Sequence, residues 1–421
     1  MSLSSIKGMN DILPQDIHLW HFFESTAKEC LKQFGYQEMR TPILEHTEVF
    51  VRGIGQVTDI VEKEMYSFND SLNGENLTLR PEGTAAAVRS VIQNNLLYDG
   101  GKKLWYIGPM FRHERPQRGR YRQFHQLGIE SLGFISPQAD IELIVLATSL
   151  FEKLGINSKL VLHLNSLGNI DERMQHRQAL VTYFEQNIDL LDEDSLKRLK
   201  TNPLRILDSK NPKMQDMIEK APNIGDFLLQ ESLEHFNNIK QLLDSLAIKY
   251  IVNPRLVRGL DYYNRTVFEW ITDELGAQGT VCGGGRYDPL IELMGGKASP
   301  AVGLAMGIER ILELIKLTNF VNTPTLDAYI VHQQSILTAF KVAQELRQYN
   351  LNILQHTNPD NIEQSLKAQM KKANNSKAKF AIILTNEAQN IIQCKNLANG
   401  ESKNFSTEQI SQIAQYIKEV K

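Results

Sequence analysis

Residues 103–134 read KLWYIGPMF (103–111), RHERPQRGRYR (112–122) and QFHQLGIESLGF (123–134). The outer pieces are short and apolar and the middle one is polar, so the pattern predicts two strands joined by a long loop. Arginines stand at 112, 115, 118, 120 and 122. Taken alone, such a run reads equally as a solvated basic loop. Two features point the other way: apolar strands flank it, and Arg112 directly follows strand-like Phe111, which would aim its side chain into a sheet-floored pocket. A planar guanidinium fork suits phosphate oxygens.

The rest of the 421-residue chain bounds what such a pocket serves. Its length suggests two or three domains, and 42% hydrophobic with 23% charged residues is the composition of a globular protein. The opening MSLSSIKGMNDILPQD holds no apolar leader, and no stretch approaches the roughly 18 uninterrupted apolar residues of a spanning helix. A cytoplasmic, membrane-free protein is therefore expected. Cys30, Cys282 and Cys394 are far apart and form no CxxC pair, which disfavours a disulfide framework and a thiolate metal site. With a formal net charge of -3, a polyanionic partner has to be met by local basic patches.

Outward from the hairpin, Ile17, Trp20, Phe23, Ala27, Leu31 and Phe34 fall on one face of a helix over Asp16–Phe34. Helical spacing returns over about 137–154, and LVLHLNSLG (160–168) is strand-like. From 170 to 247 the chain is charged and helical in pattern, with LLDEDSLKRLK (190–200) and DFLLQESLEHFNNIKQLLDSL (226–246) clearest, which reads as a helical insertion. YIVNPRLVRGLDYY (250–263), FEWIT (268–272) and GTVCGGGRYD (279–288) resume strand-like, glycine-rich sequence, and GLAMGIERILELIKL (303–317) reads as a closing helix. A polar linker with a proline follows at Asn322–Thr325. Beyond it LDAYIVH, ILTAFKVAQELRQ, LNILQ, NIEQSLKAQMKKA and KFAIILT alternate strand and helix, predicting a separate α/β domain over 326–421.

Thr78-Leu-Arg-Pro-Glu-Gly-Thr84, Arg258-Gly-Leu-Asp-Tyr-Tyr263 and Cys282-Gly-Gly-Gly-Arg-Tyr-Asp288 each set charged, hydroxyl or phenolic groups beside glycine, which permits close backbone approach. Each reads as a pocket wall or as a turn with a structural salt bridge. The chain contains no GxxxxGK[ST], and Gly53-Ile-Gly55 lacks the third glycine of a dinucleotide loop. His18 and His21 have no third ligand nearby, and no serine lies in a nucleophile elbow.

TLRPEGTAAAVR (78–89), FRHERPQRGRYRQFHQLGIE (111–130) and GLAMGIERIL (303–312) resemble the motifs of class II aminoacyl-tRNA synthetases, and YQEMRTPILEHTEVF (36–50) resembles their dimer motif. RGLDYY and CGGGRYD resemble the two signature peptides of the histidyl-tRNA synthetase family. The likeness runs from KGMNDILP (7–14) to the C-terminal domain.

This resemblance implies an α+β protein: a class II catalytic domain over 1–321 with a mostly antiparallel sheet flanked by helices, interrupted by the helical insertion (170–247), then an α/β anticodon-binding domain (326–421). It implies activation of L-histidine with ATP and transfer to the 3′ end of tRNA(His) by a homodimer. Arg112 and Arg258 would hold the α-phosphate as catalytic residues. Arg310 would lie on the γ-phosphate side, Phe124 would stack on adenine, and Glu114 and Arg120 would complete the ATP contacts, with Mg2+ bridging the pyrophosphate. Glu130 and Tyr263 would take the two imidazole nitrogens, Glu82, Thr84 and Gln126 the α-amino group, Tyr262 the pocket wall, and Arg258 would touch histidine as well as ATP. Gln117 and Arg118 would meet the tRNA acceptor end. No structural metal site and no editing domain are expected. A carboxylate is already ionised at neutral pH, so this chemistry requires alignment and charge stabilisation and no general base. Two rivals are a histidine-sensing regulatory relative with eroded ATP motifs and a basic RNA-binding module without catalysis. Histidine-driven ATP–pyrophosphate exchange separates all three.

Overall fold

The structure is a computed structural model describing residues 3–419 except 56–57, 59, 210, 261, 277–278, 319–325, 334–335, 359–363 and 385–389. The linker at Asn322–Thr325 lies outside the described residues. The chain divides into two compact units, Met1–Val321 and Asn322–Lys421.

The first unit opens with α1 (Ile17–Gln33), β1 (Gln37–Glu38), β2 (Leu44–His46), α2 (Thr47–Ile54), β3 (Tyr66–Asn69), β4 (Asn76–Leu79) and α3 (Thr84–Gln93). The hairpin β5 (Lys102–Phe111) and β6 (Gln123–Leu132) follows, then α4 (Gln138–Lys153) and β7 (Val161–Ser166). A helix-rich run contains α5 (Ile170–Gln186), α6 (Glu193–Thr201), α7 (Gln215–Glu219) and α8 (Gln230–Ser245). The unit closes with β8 (Tyr250–Val252), β9 (Asn264–Ile271), β10 (Thr280–Arg286), α9 (Leu290–Leu293), β11 (Ala301–Gly307) and α10 (Ile308–Lys316).

Eight of these strands make one sheet in the order β1-β5-β6-β11-β10-β9-β7-β8. Only the outermost pairs, β1 with β5 and β7 with β8, are parallel. α1 buries Trp20, Phe23, Ala27 and Leu31 along one face, at the spacing of successive turns, and shares a core with α4, α10 and the sheet. A smaller antiparallel sheet, β2-β4-β3, went unread from sequence because its strands are three or four residues long and largely exposed.

Two readings change. GLAMGIERILELIKL is not one helix: Ala301–Gly307 is the central strand β11, between β6 and β10, and only Ile308–Lys316 is helical. A strand buried on both faces shows no polar alternation, so its sequence does not betray it. The run 170–247 does not pack as one body either. Leu180, Phe184, Leu199, Ile206 and Met214 form a core of their own, whereas Phe236, Ile239 and Leu243 of α8 join the core of the large sheet. Buried Glu172 ties the start of α5 to the start of α8: it completes a capping box with Asn169 and accepts from Leu229 N (2.6 Å) and Ser232 Oγ (2.7 Å).

The second unit contains β12 (Ala328–His332), α11 (Ile336–Gln348), β13 (Ile353–Gln355), α12 (Leu366–Asn375), β14 (Phe380–Leu384), β15 (Ile391–Asn396), β16 (Ser402–Ser406) and α13 (Ile410–Glu419). Its sheet runs β13-β12-β14-β15-β16, parallel across the first three strands and antiparallel beyond.

Candidate active site

The hairpin, the start of α3, the segment before β9, and β10 with α10 surround a cavity of about 350 Å³, a size suited to small ligands. Alternation along β6 puts Phe124, Gln126, Gly128 and Glu130 on one face. Phe124 and Gln126 line the cavity. Glu82 and Thr84 line it from the start of α3, where the buried Glu82 carboxylate accepts from Thr84 N and Ala85 N, both at 2.7 Å. Burial pushes the Glu82 carboxyl up, while those N–H groups and Arg112 pull it down.

Arg112, Arg120, Arg258 and Arg310 reach the same cavity from three parts of the chain. Arg112 donates through Nε to Pro81 O (2.8 Å) and lies 5.3 Å from the centre of the Phe124 ring. Glu114 also lines the cavity, paired with Arg120 and 3.7 Å from Arg112. Arg310 donates to Gly119 O of the arginine loop (3.2 Å) and to Thr280 O of β10. Burial, then Arg120 and Arg112, bring the Arg310 guanidinium down to about 10, with Glu269 opposing. Arg258 pairs with Glu269 of β9 and lies 5.2 Å from the Tyr263 ring. Burial works against its charge, yet Glu269 and the tyrosines hold it above the ordinary arginine value. Tyr262 and Tyr263 are buried and complete this wall.

Three candidates stand apart. Gln117 and Arg118 are on the exposed part of the loop, where Arg118 pairs with Glu313 at 2.9 Å. Glu130 does not face the cavity as expected. It is 0% exposed and accepts from Thr84 Oγ1 and Tyr106 OH (both 2.9 Å) and from Tyr287 OH. The resemblance put Glu130 in the pocket and could not report that side chains from β5 and from just beyond β10 cover it. Tyr106 fits there because Gly83 and Gly128 flank its ring, and a Cβ at either would collide with it.

Sequence reading missed Glu269, Thr280, Tyr106 and Tyr287. Glu269 left one trace, a lone carboxylate inside apolar VFEWI. Among the described residues, Gln126 Oε1 and Arg258 Nε are buried polar atoms of the cavity with no hydrogen-bond partner. Such atoms cost free energy in an empty pocket and recover it from a polar ligand. The arrangement suits a small polar molecule beside a polyanion.

Comparison with known proteins is in keeping with this geometry. Residues 8–311 match the family described as Histidyl-tRNA synthetase. The chain is 56% identical over 412 residues to the histidine–tRNA ligase of Paraburkholderia phymatum, covering 97% of this chain and 92% of that one. It is 57% identical over 405 residues to that of Cupriavidus taiwanensis, covering 95% and 89%. The crystal structure of apo S. aureus histidyl-tRNA synthetase aligns with a TM-score of 0.81 at 34% identity, covering 99% of this chain and 100% of that one. A family match over most of the chain and relatives at this identity and coverage agree, and the chain belongs to the histidyl-tRNA synthetase family.

Proposed function

We propose that the protein activates histidine with ATP in this cavity and then passes the histidyl group to the 3′ end of tRNA(His). The observation that carries this reading is the convergence of Arg112, Arg258 and Arg310 on one cavity whose other polar groups fit an amino acid. In the first step a histidine carboxylate oxygen bonds to the α-phosphorus and pyrophosphate leaves with its electron pair. Arg112 and Arg258 stabilise the charge that develops there, and Arg310 holds the γ-phosphate end. Loss of one such contact costs about a hundredfold to a thousandfold in rate. Phe124, Glu114 and Arg120 hold the rest of the nucleotide, and tRNA then takes the histidyl group and AMP is released.

Glu82, Thr84 and Gln126 gather the α-amino group, with Tyr262 as the wall. Tyr263 and Glu130 read the imidazole, and for Glu130 this requires Thr84, Tyr106 or Tyr287 to yield a hydrogen bond when histidine enters. Gln117 and Arg118, being exposed, are free to meet the acceptor end.

Magnesium, when bound, offsets charge on the leaving pyrophosphate. Among the described residues no group of three His, Cys, Asp or Glu side chains is placed to hold a metal, and Glu82, Glu114 and Glu269 are already engaged. Glu114, the carboxylate beside the arginines in the cavity, is the residue that would hold the ion.

The protein is further proposed to act in the cytoplasm as a homodimer. Exposed Ile43 and Leu44, with exposed Phe68 on the other edge strand of the same small sheet, support a pairing surface, and among the described residues no helix is long and apolar enough to cross a membrane. The second unit, which has its own core, is proposed to bind the anticodon. The test is ATP–pyrophosphate exchange with each amino acid in turn, followed by charging of tRNA(His). Exchange driven by histidine alone is expected, and exchange indifferent to histidine would sink the reading.

A further inference from the structure

Glu269 sits at a place where a carboxylate looks unhelpful. It lines a cavity read as a nucleotide site, and a negative charge there repels phosphate. What it touches accounts for it. In the β9–β10 register Glu269 faces Gly283, and a Cβ at Gly283 would collide with the Arg258 guanidinium. The guanidinium thus lies flat over backbone at that point, with Nη1 on Glu269 Oε1. The second carboxylate oxygen accepts from Thr280 Oγ1 at 2.9 Å. The β9–β10 register shifts between Thr280 and Cys282, and such a bulge re-aims the side chains next to it. Thr280 also accepts through its carbonyl oxygen from Arg310 Nη1. A continuous chain of contacts therefore runs Arg258–Glu269–Thr280–Arg310, joining the two arginines through β9 and β10.

We propose that Glu269 is a positioning residue that anchors Arg258 against β10 and, through Thr280, keeps it in register with Arg310. This rests on the reading of Arg258 as an α-phosphate ligand. With Nη1 anchored, the Arg258 side chain is held on the cavity wall. The anchor also counters the mutual repulsion of four arginines that line one cavity, which would otherwise spread them before a substrate arrives. Alignment in the transition state is what such an anchor supplies, and affinity for the nucleotide is what it gives up.

The test is steady-state ATP–pyrophosphate exchange by the full-length protein carrying Glu269→Gln, Thr280→Val, Arg258→Ala, and Arg258→Ala with Glu269→Gln. Glu269→Gln is expected to lower kcat about tenfold to a hundredfold while the KM for ATP stays level or falls. Thr280→Val, which loses the hydroxyl and keeps the carbonyl, should lower kcat only a few-fold. In the Arg258→Ala background Glu269→Gln should change kcat less than about twofold, because a residue that acts through Arg258 has nothing left to act on. Normal kcat in Glu269→Gln beside a crippled Arg258→Ala overturns the anchor and leaves the Arg258 reading standing. Additive losses overturn the anchor too, as does a rise in the KM for ATP together with a lower melting temperature, which marks a merely structural carboxylate. Near-normal exchange in Arg258→Ala removes the underlying reading itself.

Discussion

Arg286, which ends β10, and the half-buried Arg258, which lies over it, are two guanidiniums that differ in how completely they are used. Arg286, 1% exposed, donates to both oxygens of Asp140, to Phe134 O (3.0 Å), to Ser136 O (3.2 Å) and to Asp288 Oδ1 (3.2 Å). Asp140 is itself fully buried, and His235 together with Arg286 holds its carboxyl below the usual range against the opposing effect of burial. Arg258 has one carboxylate, the ring and a hydrogen bond of Tyr263, and one nitrogen with no partner. The first fastens β10 to α4, whereas the second keeps bonding capacity for something not yet there. Both belong to peptides that look alike in sequence, charge beside glycine and tyrosine. Saturation of the hydrogen-bonding groups separates a fastening from a contact site.

Arg286→Ala is the severest way to break this contrast, since it strands Asp140 as a buried and poorly compensated charge. A loss of about 3–5 kcal/mol is expected, measured by urea unfolding. Arg258→Ala should shift the same midpoint by less than half as much, because Glu269 borders an open cavity. Equal shifts would mean that Arg258 is a fastening too.

The next test sharpens the contrast through a second pair of buried carboxyls, Asp140 and Glu130. Burial pushes Glu130 up to about 8, with Tyr287, Thr84 and Tyr106 pulling down and Glu82 pushing further up. The folded protein therefore keeps this proton to a higher pH than the unfolded chain does. The resulting stabilisation is complete below about 4.5 and is lost as pH rises through about 8. Glu130→Gln does not titrate, so it should gain on the wild type by roughly a few degrees in Tm between about pH 5 and pH 8. A difference that stays flat would make Glu130 an ionised carboxylate like Asp140.

Arg118→Ala should have the smallest effect on stability. Its pair with Glu313 is half exposed, so less than about 1 kcal/mol is expected. Adenylate formation should be unchanged while tRNA charging slows, and a parallel fall of both would move Arg118 into the ATP site.

The α+β class II fold expected from the motifs is the fold found, but its parts were not equally legible. α1 announced itself by its helical period, and the β5–β6 hairpin by two short apolar segments around a polar, arginine-rich stretch. β11 did not, since Ala301–Gly307 is buried on both sides. In the second unit β16 is mostly exposed and short, and with β15 and α13 it was not read at all. For the site, the motifs named nearly every residue that lines the cavity. What they lacked were the groups that act on those residues: Glu269 and Thr280 are joined to Arg258 and Arg310 by pairing across β9 and β10, which local sequence does not encode. Glu130 shows the converse: the resemblance named it for the pocket, and Tyr106 and Tyr287 cover it.

The ring of Tyr106, filling the space left by Gly83 and Gly128, gives this part of the protein a direction in time. Neither glycine can acquire a side chain while that ring is present, and loss of the ring opens a buried hole beside Glu130 and removes one of its donors. Change here is possible in one order only: position 106 must shrink first, at a cost to the fold, before 83 or 128 can grow and refill the gap. A lineage carrying alanine at either glycine must therefore have passed through the less stable intermediate or changed both positions at once. Stepwise diversification of this chain should leave the three positions untouched long after the surrounding surface has altered.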